Sequence, residues 1–443
     1  MIVPRGAAAA LAAVLLPLAL APLAAQDSTP TPEGVRVGIE YRPGFRPSVV
    51  VLPGRGLDSV RAIITRDLDY SDRFDVIALG PGDTAATAAN LGGRTLNYAL
   101  FRTLGAEYAV EVAAEGPATL VRLHDVTTGT IRREQRYPLP APFDAGFRLA
   151  VHRASDELVR WITGTPGYAA SQVLFISERR LYRVDSDGAG LTPLSAPGEE
   201  VLSPAWSPDG SRLVYTRFGA GAGPLVLYTP ATGQRQVVAG TGTGLNITPA
   251  FSPDGRLLAF ARSDESGTDI FTVDIAQNCC LQRLTVGRYS DNLSPTFAPD
   301  GRRLAFVSTR AGLPQVYGMA PDGTDQDLLA PFDYGATGSS NAPEWSPDGA
   351  SVVFHRDVTR APQVFVLDVA GRKVRQLTSS GRNEDPTWAP DGRHIAFVSD
   401  RSGRRQLWVI DLVSGRVRQL TFAGATRLPA WSRRLTGATP GTH

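Results

Sequence analysis

Short runs of apolar residues, separated by turn residues, recur through the second half of the chain. One unit has such runs at 257–260, 270–273 and 283–285. Runs of this length, bounded by Gly, Pro, Asn and Asp, predict β-strands rather than helices. With one further strand before the first run, each unit has the four strands of a propeller blade.

A single phrase opens each unit and sets its period. Proline, a variable residue, an aromatic residue and Ser or Ala are followed by Pro-Asp-Gly. The copies begin at Pro204, Pro249, Pro295, Pro343 and Pro386, and a shortened sixth copy begins at Pro429. Successive copies are 45, 46, 48, 43 and 43 residues apart. Such a period, built of short strands, is typical of a β-propeller.

The two ends of the repeat region predict how the ring closes. The region begins with second, third and fourth strands near Val173, Leu181 and Leu191, and it ends with a lone first strand around Trp431. We therefore expect six blades, with the last strand of the chain completing the first blade. This closure leaves no unpaired sheet edge.

The repeated aspartates and aromatic residues are interpreted as structural. Pro fixes φ and Gly accepts positive φ, so Pro-Asp-Gly predicts a tight turn in which Asp bonds its own backbone. The aromatic residues could form a ligand platform, but strand alternation favours a place between blades. The aspartates are Asp209, Asp254, Asp300, Asp348 and Asp391, and the aromatic residues are Trp206, Phe251, Phe297, Trp345, Trp388 and Trp431.

The part of the chain before the repeats has a different pattern. Strand-like runs occur at 35–39, 49–52, 73–77, 108–112 and 120–123, and helical spacing occurs at 57–69, 98–104 and 147–162. On the last helix the predicted apolar face carries Leu149, Ala150, Ala154, Leu158 and Trp161. The fold class is therefore mixed: a small α/β domain at 35–165, then an all-β six-bladed β-propeller at 171–435, closed by its C-terminal strand. The short connection predicts that the two domains pack together.

The first 25 residues have the layout of a secretory signal. Arg5 precedes an apolar run that ends in small residues before Gln26. A retained membrane anchor is the alternative, but Pro17 and Pro22 interrupt the run, and a span needs about 20 apolar residues. We expect cleavage near Ala25 and export to the periplasm. The remaining predicted segments are a signal peptide at 1–25, a flexible N-terminal segment at 26–34 and a tail at 436–443.

Charge and missing motifs exclude several classes of function. The formal net charge is +2 and the arginines are scattered, so no basic surface indicates nucleic acid as a partner. Gly-x-Ser-x-Gly, His-Glu-x-x-His and phosphate-binding glycine motifs are absent from the sequence. The sequence Asp185-Ser-Asp-Gly188 resembles the start of a calcium loop but lacks the other ligands, so we interpret it as a hairpin turn. We expect no catalytic residues, cofactor or metal.

The only two cysteines, Cys279 and Cys280, are adjacent. Neighbouring cysteines cannot form a disulfide framework for a fold. The pair is interpreted as free or vicinally bonded in a turn.

The order of these parts resembles a known family. Signal, mixed domain and Pro-x-Trp-Ser-Pro-Asp-Gly repeats follow one another as in TolB of the Tol-Pal cell-envelope system. The connection between the domains is the more specific feature: Ala-Ser-Asp-Glu-Leu at 154–158, Ile-Thr-Gly at 162–164 and the strand at Val173 are similar to the family's passage into the propeller. The strand at 35–40 and the terminal 428–432 also resemble the family.

The resemblance implies a monomeric, non-enzymatic periplasmic adaptor that supports outer-membrane integrity and constriction during cell division. Members bind the lipoprotein Pal at one mouth of the propeller and the inner-membrane protein TolA through a flexible N-terminal stretch, without inserting into the membrane. The candidate TolA-binding residues here are Gln26, Asp27, Val35 and Arg36.

For Pal, the candidates are polar residues before the repeated prolines, which ring geometry gathers around the channel. They are Asn246, Asp291, Asn292, Asn341, Asn383, Glu384, Asp385 and Arg427. Hydrogen bonding to neighbouring loops is the structural alternative for each of them. A different class of function stays open: an exported propeller that binds glycan or peptide, or that serves as the recognition subunit of a hydrolytic complex.

Overall fold

The computed structural model describes residues 46–80, 96–116, 118–142, 144, 146–219, 223–265, 267–287, 290–331, 338–358 and 361–436. The predicted signal peptide, the segment at 26–34 and the strand at 35–39 lie outside these residues. Among the helices of the described ranges, none combines the length and apolar character needed to cross a bilayer.

The described N-terminal region is a five-stranded sheet with helices, as the fold class predicted. The strands are β1 (Ser48–Val51), β2 (Asp75–Ile77), β3 (Tyr108–Glu115), β4 (Ala118–Asp125) and β5 (Thr130–Pro138), and the helices are α1 (Asp58–Tyr70), α2 (Tyr98–Thr103) and α3 (Phe147–Thr163). In the order β2-β1-β3-β4-β5, β1 pairs parallel with both neighbours, and the later pairs are antiparallel. Strand β5 was not predicted, because its sequence is mostly polar and exposed.

The predicted apolar face of α3 is confirmed in part. Ala154 and Leu158 are buried, and the half-buried Trp161 packs against the core, whereas Leu149 and Ala150 are half-buried. The helix also buries Val151 in the core that it shares with α1. Its other buried side carries polar groups that meet the propeller, so the helix is covered on two sides and apolar spacing alone does not identify the core stripe.

Six four-stranded sheets form the blades, as predicted. The innermost strands are β9 (Glu200–Trp206), β13 (Leu245–Phe251), β17 (Asn292–Phe297), β21 (Ser340–Trp345), β25 (Asn383–Trp388) and β29 (Thr426–Trp431). The second strands are β6 (Gln172–Ser177), β10 (Leu213–Phe218), β14 (Leu257–Asp264), β18 (Leu304–Ser308), β22 (Ser351–Val358) and β26 (His394–Ser399). The third strands are β7 (Arg180–Asp185), β11 (Leu225–Thr229), β15 (Gly267–Asp274), β19 (Gln315–Met319), β23 (Ala361–Asp368) and β27 (Gln406–Asp411). The outermost strands are β8 (Thr192–Pro193), β12 (Gln234–Val237), β16 (Cys279–Arg283), β20 (Asp327–Leu328), β24 (Lys373–Gln376) and β28 (Val417–Gln419).

The ring closes through the last strand of the chain. Strand β29 pairs antiparallel with β6, with Trp431 opposite Val173. It also contacts the innermost strands β9 and β25 of the two neighbouring blades. The predicted closure is therefore confirmed, and the two ends of the repeat region hold each other.

The repeated turn and the repeated aromatic residue have the predicted places. At the first turn the Asp209 carboxylate accepts from the backbone N–H of Ser211 at 3.0 Å, and Gly210 has φ +69°. Trp345 packs in one cluster with Val316 of the preceding blade and Phe354 of its own. Such clusters between neighbouring sheets are the propeller core. The loops that enter the innermost strands define the entrance face, and the Pro-Asp-Gly turns define the opposite turn face.

The α/β domain docks on the turn face through the acidic end of α1. Arg416 pairs with Asp69 and Asp72, at 3.0 and 3.2 Å. The guanidinium of Arg393 donates to the carbonyl of Asp72 at 2.9 Å, and His394 Nε2 lies 3.3 Å from the Asp72 carboxylate. The predicted packing of the two domains is observed, and it is mainly electrostatic.

Two sequence interpretations are settled by the outer turns. The backbone N–H of Gly188 donates to the carbonyl of Asp185 at 2.9 Å, so this segment is the predicted turn. Cys279 and Cys280 are bonded to each other where a turn leads into β16.

Candidate functional site

Three of the predicted Pal-binding asparagines are completely buried. Asn246 donates to the carbonyls of Gly223 and Thr241, both at 3.0 Å. Asn292 donates to the Asp269 carboxylate at 2.9 Å, and Asn383 donates to the Gln363 amide oxygen at 2.7 Å. These side chains hold the entry loops in place and offer no accessible surface to a partner.

An arginine completes this arrangement in two of these blades. Arg401 donates to Asn383 Oδ1 at 2.8 Å while its guanidinium stacks over Phe397 and Trp408, 5.2 and 5.1 Å from the ring centroids. Arg310 donates to Asn292 Oδ1 at 3.2 Å in the same way. A cation over an aromatic face is attracted by the ring quadrupole. Each stack therefore holds the arginine in position, and the arginine in turn holds the asparagine.

Asn341 does not occupy the equivalent position. Ser340 is the buried residue of its blade, and its hydroxyl accepts from Arg356 Nε at 2.9 Å. Asn341 lies one residue further along β21 and is half-buried. It therefore belongs to the next ring of residues, together with Glu384 and Arg427.

These positions lie in the innermost strands, on the entrance side of the residues that line the channel cavity, and we call them the mouth ring. Its members stand two residues before the repeated prolines and are all half-buried. They are Leu202, Ile247, Leu293, Asn341, Glu384 and Arg427. Three consecutive blades contribute apolar side chains and the other three contribute polar ones, so the mouth has an apolar half and a polar half.

Sequence reasoning missed the apolar half because only polar residues were sought. The signal was available, since all six members stand at a fixed distance before the repeated proline. Of the other predicted residues, Asp291 is exposed at the entrance face, next to the buried Asn292. Gln26, Asp27, Val35 and Arg36 lie outside the described residues.

A β-bulge below the mouth ring sets the direction of these side chains. The residue between ring and proline has a left-handed backbone in every blade, with φ between 47° and 51°. These residues are Ser203, Thr248, Ser294, Ala342, Asp385 and Leu428. The ladder register shifts at this point in all six blades. Such backbone costs about 1–2 kcal/mol per residue, and it appears here where a bulge re-aims side chains.

Neighbouring blades are tied together at the bulge. The backbone N–H of Ser294 donates to the Thr248 hydroxyl at 3.0 Å. The backbone N–H of Leu428 donates to the Asp385 carboxylate at 3.3 Å, and the N–H of Asp385 donates to His355 Nδ1 at 3.1 Å. Burial raises the pKa of Asp385, although nearby His355 opposes the shift. Asp385 therefore joins three blades just beneath the mouth ring.

Glu384 is the charged centre of the polar half. Arg382 and Arg405 approach its carboxylate from two sides, at 2.9 and 3.4 Å. Both arginines are about half exposed, so each pair contributes little to stability, roughly 0–1 kcal/mol. Because they hold the carboxylate in one place, it can act as a fixed acceptor for a partner.

One cluster at the junction of the domains has metal-ligand residue types. Asp67, His152 and Asp187 offer atoms within 4.8 Å of one another. Arg66 and Arg148 both bond Asp187, and His152 Nδ1 lies 2.8 Å from Asp67. Two guanidinium groups on one carboxylate oppose a cation at that place, so the cluster is an ion-pair network between domains.

The fold and the channel together define a six-bladed β-propeller with an N-terminal α/β domain. The family described as the TolB beta propeller domain matches residues 159–333 and 334–436. The chain belongs to that family.

Curated relatives carry the same family name. Over 288 residues the chain is 34% identical to the Tol-Pal system protein TolB of Anaeromyxobacter sp. (strain K), covering 60% of this chain and 62% of that protein. It is 29% identical over 219 residues to the Tol-Pal system protein TolB of Alcanivorax borkumensis, covering 46% and 49%. The chain thus spans about half to three fifths of the length of these relatives.

A solved structure shares the fold. The crystal structure of TolB from Acinetobacter baumannii superposes with a TM-score of 0.74 at 23% identity. The match covers 88% of this chain and 98% of that one, so the likeness includes more than the propeller.

Proposed function

We propose that this chain is the periplasmic adaptor of a Tol-Pal system and binds a Pal-like lipoprotein at the mouth ring. The observation that supports it is the two-sided mouth ring, in a chain that belongs to the TolB propeller family. In this role the chain has no catalytic activity of its own and acts as a monomer. It supports outer-membrane integrity and constriction during cell division.

The two halves of the mouth ring have different tasks in binding. Leu202, Ile247 and Leu293 supply adjoining apolar surface, and burying it drives association. Glu384 and Arg427 supply charges that select the orientation of the partner. A partner that fits would place an apolar side chain against the first half and hydrogen-bonding groups against the second.

The N-terminal segment from Gln26 to Arg36 is proposed to bind a TolA-like inner-membrane protein. Its Ser, Thr and Pro content is typical of an extended segment that adds a strand to a partner sheet. The apolar run before Gln26 supports export, with cleavage near Ala25.

Binding of purified Pal from the same cell tests the proposal. By calorimetry, Leu293→Ala and Glu384→Gln should each weaken binding about tenfold or more, as for central interface residues. Val413→Ala is the matched control, because Val413 is an exposed apolar residue in a turn of the opposite face. Equal binding by all three variants would place the site elsewhere, and no binding of Pal at micromolar concentration would contradict the adaptor role.

A separate experiment tests the proposed binding of TolA. Removal of residues 26–36 should abolish capture of TolA and leave the affinity for Pal unchanged. If the shortened chain still captures TolA, the N-terminal segment is not the TolA site.

A further inference from the structure

Below the bulge, the propeller channel encloses a cavity of about 550 Å³. This volume lies in the range of sites that hold small organic ligands. Its wall is formed by the residues that follow the repeated prolines, namely Ala205, Ala250, Thr296, Glu344, Thr387 and Ala430. At the turn face the cavity is bordered by the five prolines of the Pro-Asp-Gly turns and by Arg433.

Of these six residues all except Glu344 are small and neutral, and the cavity is also bordered by Asp385 and by the six repeated aromatic residues. The Glu344 carboxylate accepts from the backbone N–H of Trp388 at 3.1 Å and from the hydroxyl of Thr387. These bonds fix the carboxyl group on the wall of the cavity. Burial raises its pKa to about 7, although both hydrogen bonds oppose the shift. A cationic group placed beside it would favour the ionised carboxylate.

Arg433 stands where the sixth blade lacks its turn proline. It is exposed at the turn-face end of the cavity, and with the described residues its guanidinium makes no hydrogen bond or ion pair. Its charge nevertheless lowers the pKa of Glu344, so the two groups act on the same space. The cavity therefore has a carboxyl group on its wall and a guanidinium group at its open end.

The spacing of the two groups follows from the strand geometry. Ala430 occupies on β29 the position that Glu344 occupies on β21, and Arg433 follows Ala430 by three residues. Three residues of extended chain rise about 10 Å, so the backbone positions of the two residues are offset by up to about that distance along the channel.

We propose that this cavity binds a short free peptide, with its ammonium group at Glu344 and its carboxylate at Arg433. An extended tripeptide spans about 10 Å, a length that two long side chains on backbones so offset can bracket. The hydroxyl of Thr296 on the wall can bond the peptide backbone, and the alanines leave room for small side chains. The site is distinct from the mouth ring, because the mouth-ring residues do not line the cavity.

Calorimetry with four forms of trialanine tests this proposal on the purified protein. The forms are the free peptide, the N-acetylated peptide, the C-amidated peptide and the doubly blocked peptide. The free peptide should bind about tenfold more tightly than either singly blocked form, because each block removes one charge-assisted bond.

Two variants assign the ends of the peptide. Glu344→Gln should abolish the preference for a free amino terminus and keep the preference for a carboxylate. Arg433→Gln should do the reverse, and Arg433→Lys should retain the carboxylate preference. The matched controls Glu178→Gln and Arg302→Gln, at exposed positions outside the cavity, should behave as the unaltered protein.

Three results would overturn the proposal. One is a failure of free trialanine to bind at concentrations on the order of 10 mM, which means an affinity weaker than about 3 kcal/mol. Another is equal binding of the free and the doubly blocked peptide. The third is a variant that loses both preferences together, since the two ends are proposed to be read by separate residues.

Discussion

Leu435 packs against Gly210 at the point where the ring of blades closes. At four other turns the equivalent glycine, such as Gly255, instead faces the turn proline of the preceding blade, such as Pro208. The sixth repeat has no turn proline, and the chain continues past Trp431 so that Leu435 fills the gap. The shortened repeat is therefore completed by the end of the chain.

This contact predicts different effects for the same substitution at two glycines. Gly210 and Gly255 have φ of +69° and +70°, so alanine costs about 1–2 kcal/mol of backbone strain at either. At Gly210 the new methyl group would also collide with Leu435 Cδ2. Gly210→Ala should therefore lower the free energy of unfolding by about 1 kcal/mol more than Gly255→Ala. Urea unfolding measures both.

A second substitution isolates the role of Leu435. In a Leu435→Ala background, the difference between the two glycine variants should disappear. If the difference persists there, Leu435 is not what fills the gap.

The buried asparagines should affect stability rather than partner binding. Asn383→Ala removes one of the two side-chain acceptors of Arg401 and the donor to the Gln363 amide oxygen, and it should cost about 1–3 kcal/mol of unfolding free energy. Glu384→Gln, one residue away and half-buried, should leave the melting temperature within about 2 °C and weaken Pal binding. Differential scanning calorimetry measures the effect on stability, and titration with Pal measures the effect on binding. A stable Asn383→Ala protein would contradict the assigned role of the asparagine.

The junction between the domains should weaken as pH rises above about 6.5. Burial opposes charge on His394, but Asp391, Asp72 and Asp411 outweigh it and raise the pKa of His394. A histidine with a raised pKa stabilises the fold fully below its unfolded value of about 6.5, and this is lost as pH rises through the folded pKa. Burial also opposes charge on His152, but Asp67 outweighs it and raises the pKa of His152. The stabilisation by His152 is therefore also lost as pH rises.

Thermal unfolding between about pH 6 and about pH 9 measures this effect. The melting temperature should fall across that range, and His394→Asn should reduce the fall. A melting temperature that rises with pH in this window would contradict the assignment.

Two arginines at the junction should contribute different amounts to the free energy of unfolding. Arg393 is mostly buried and pairs with the fully buried Asp411, so Arg393→Ala should cost about 3 kcal/mol or more. Arg416 is 38% exposed, and its partners are the partly exposed Asp69 and the buried Asp72, so Arg416→Ala should cost less than Arg393→Ala. Urea unfolding should show the Arg416→Ala effect shrinking in high salt. Equal costs for the two would contradict the burial argument.

The propeller architecture was predictable from the sequence because the repeated phrase marks the start of each blade. A fixed phrase with a period set by four strands gives the blades, and the lone strand at Trp431 gives the closure. The helix at 147–163 shows the limit: its buried polar side against the propeller cannot be seen in apolar spacing.

The site was predictable only in part. Asn383 looked like a surface group because its burial depends on Arg401, whose stack on Trp408 is formed by two other strands. Asn341 was grouped with the buried asparagines as a polar residue before a repeated proline, but it lies one position after the buried position, which Ser340 occupies in that blade. The apolar half of the mouth ring needed the ring geometry before its three members could be seen as one surface.

Photo-crosslinking tests the central claim most directly. A photoreactive amino acid replaces Ile247 in the mouth ring. In the control it replaces Pro253, which lies on the turn face of the same blade. Irradiation with Pal should give a crosslinked product from position 247 and none from position 253. Crosslinking from position 253 alone, or from neither position, would contradict binding of Pal at the mouth ring.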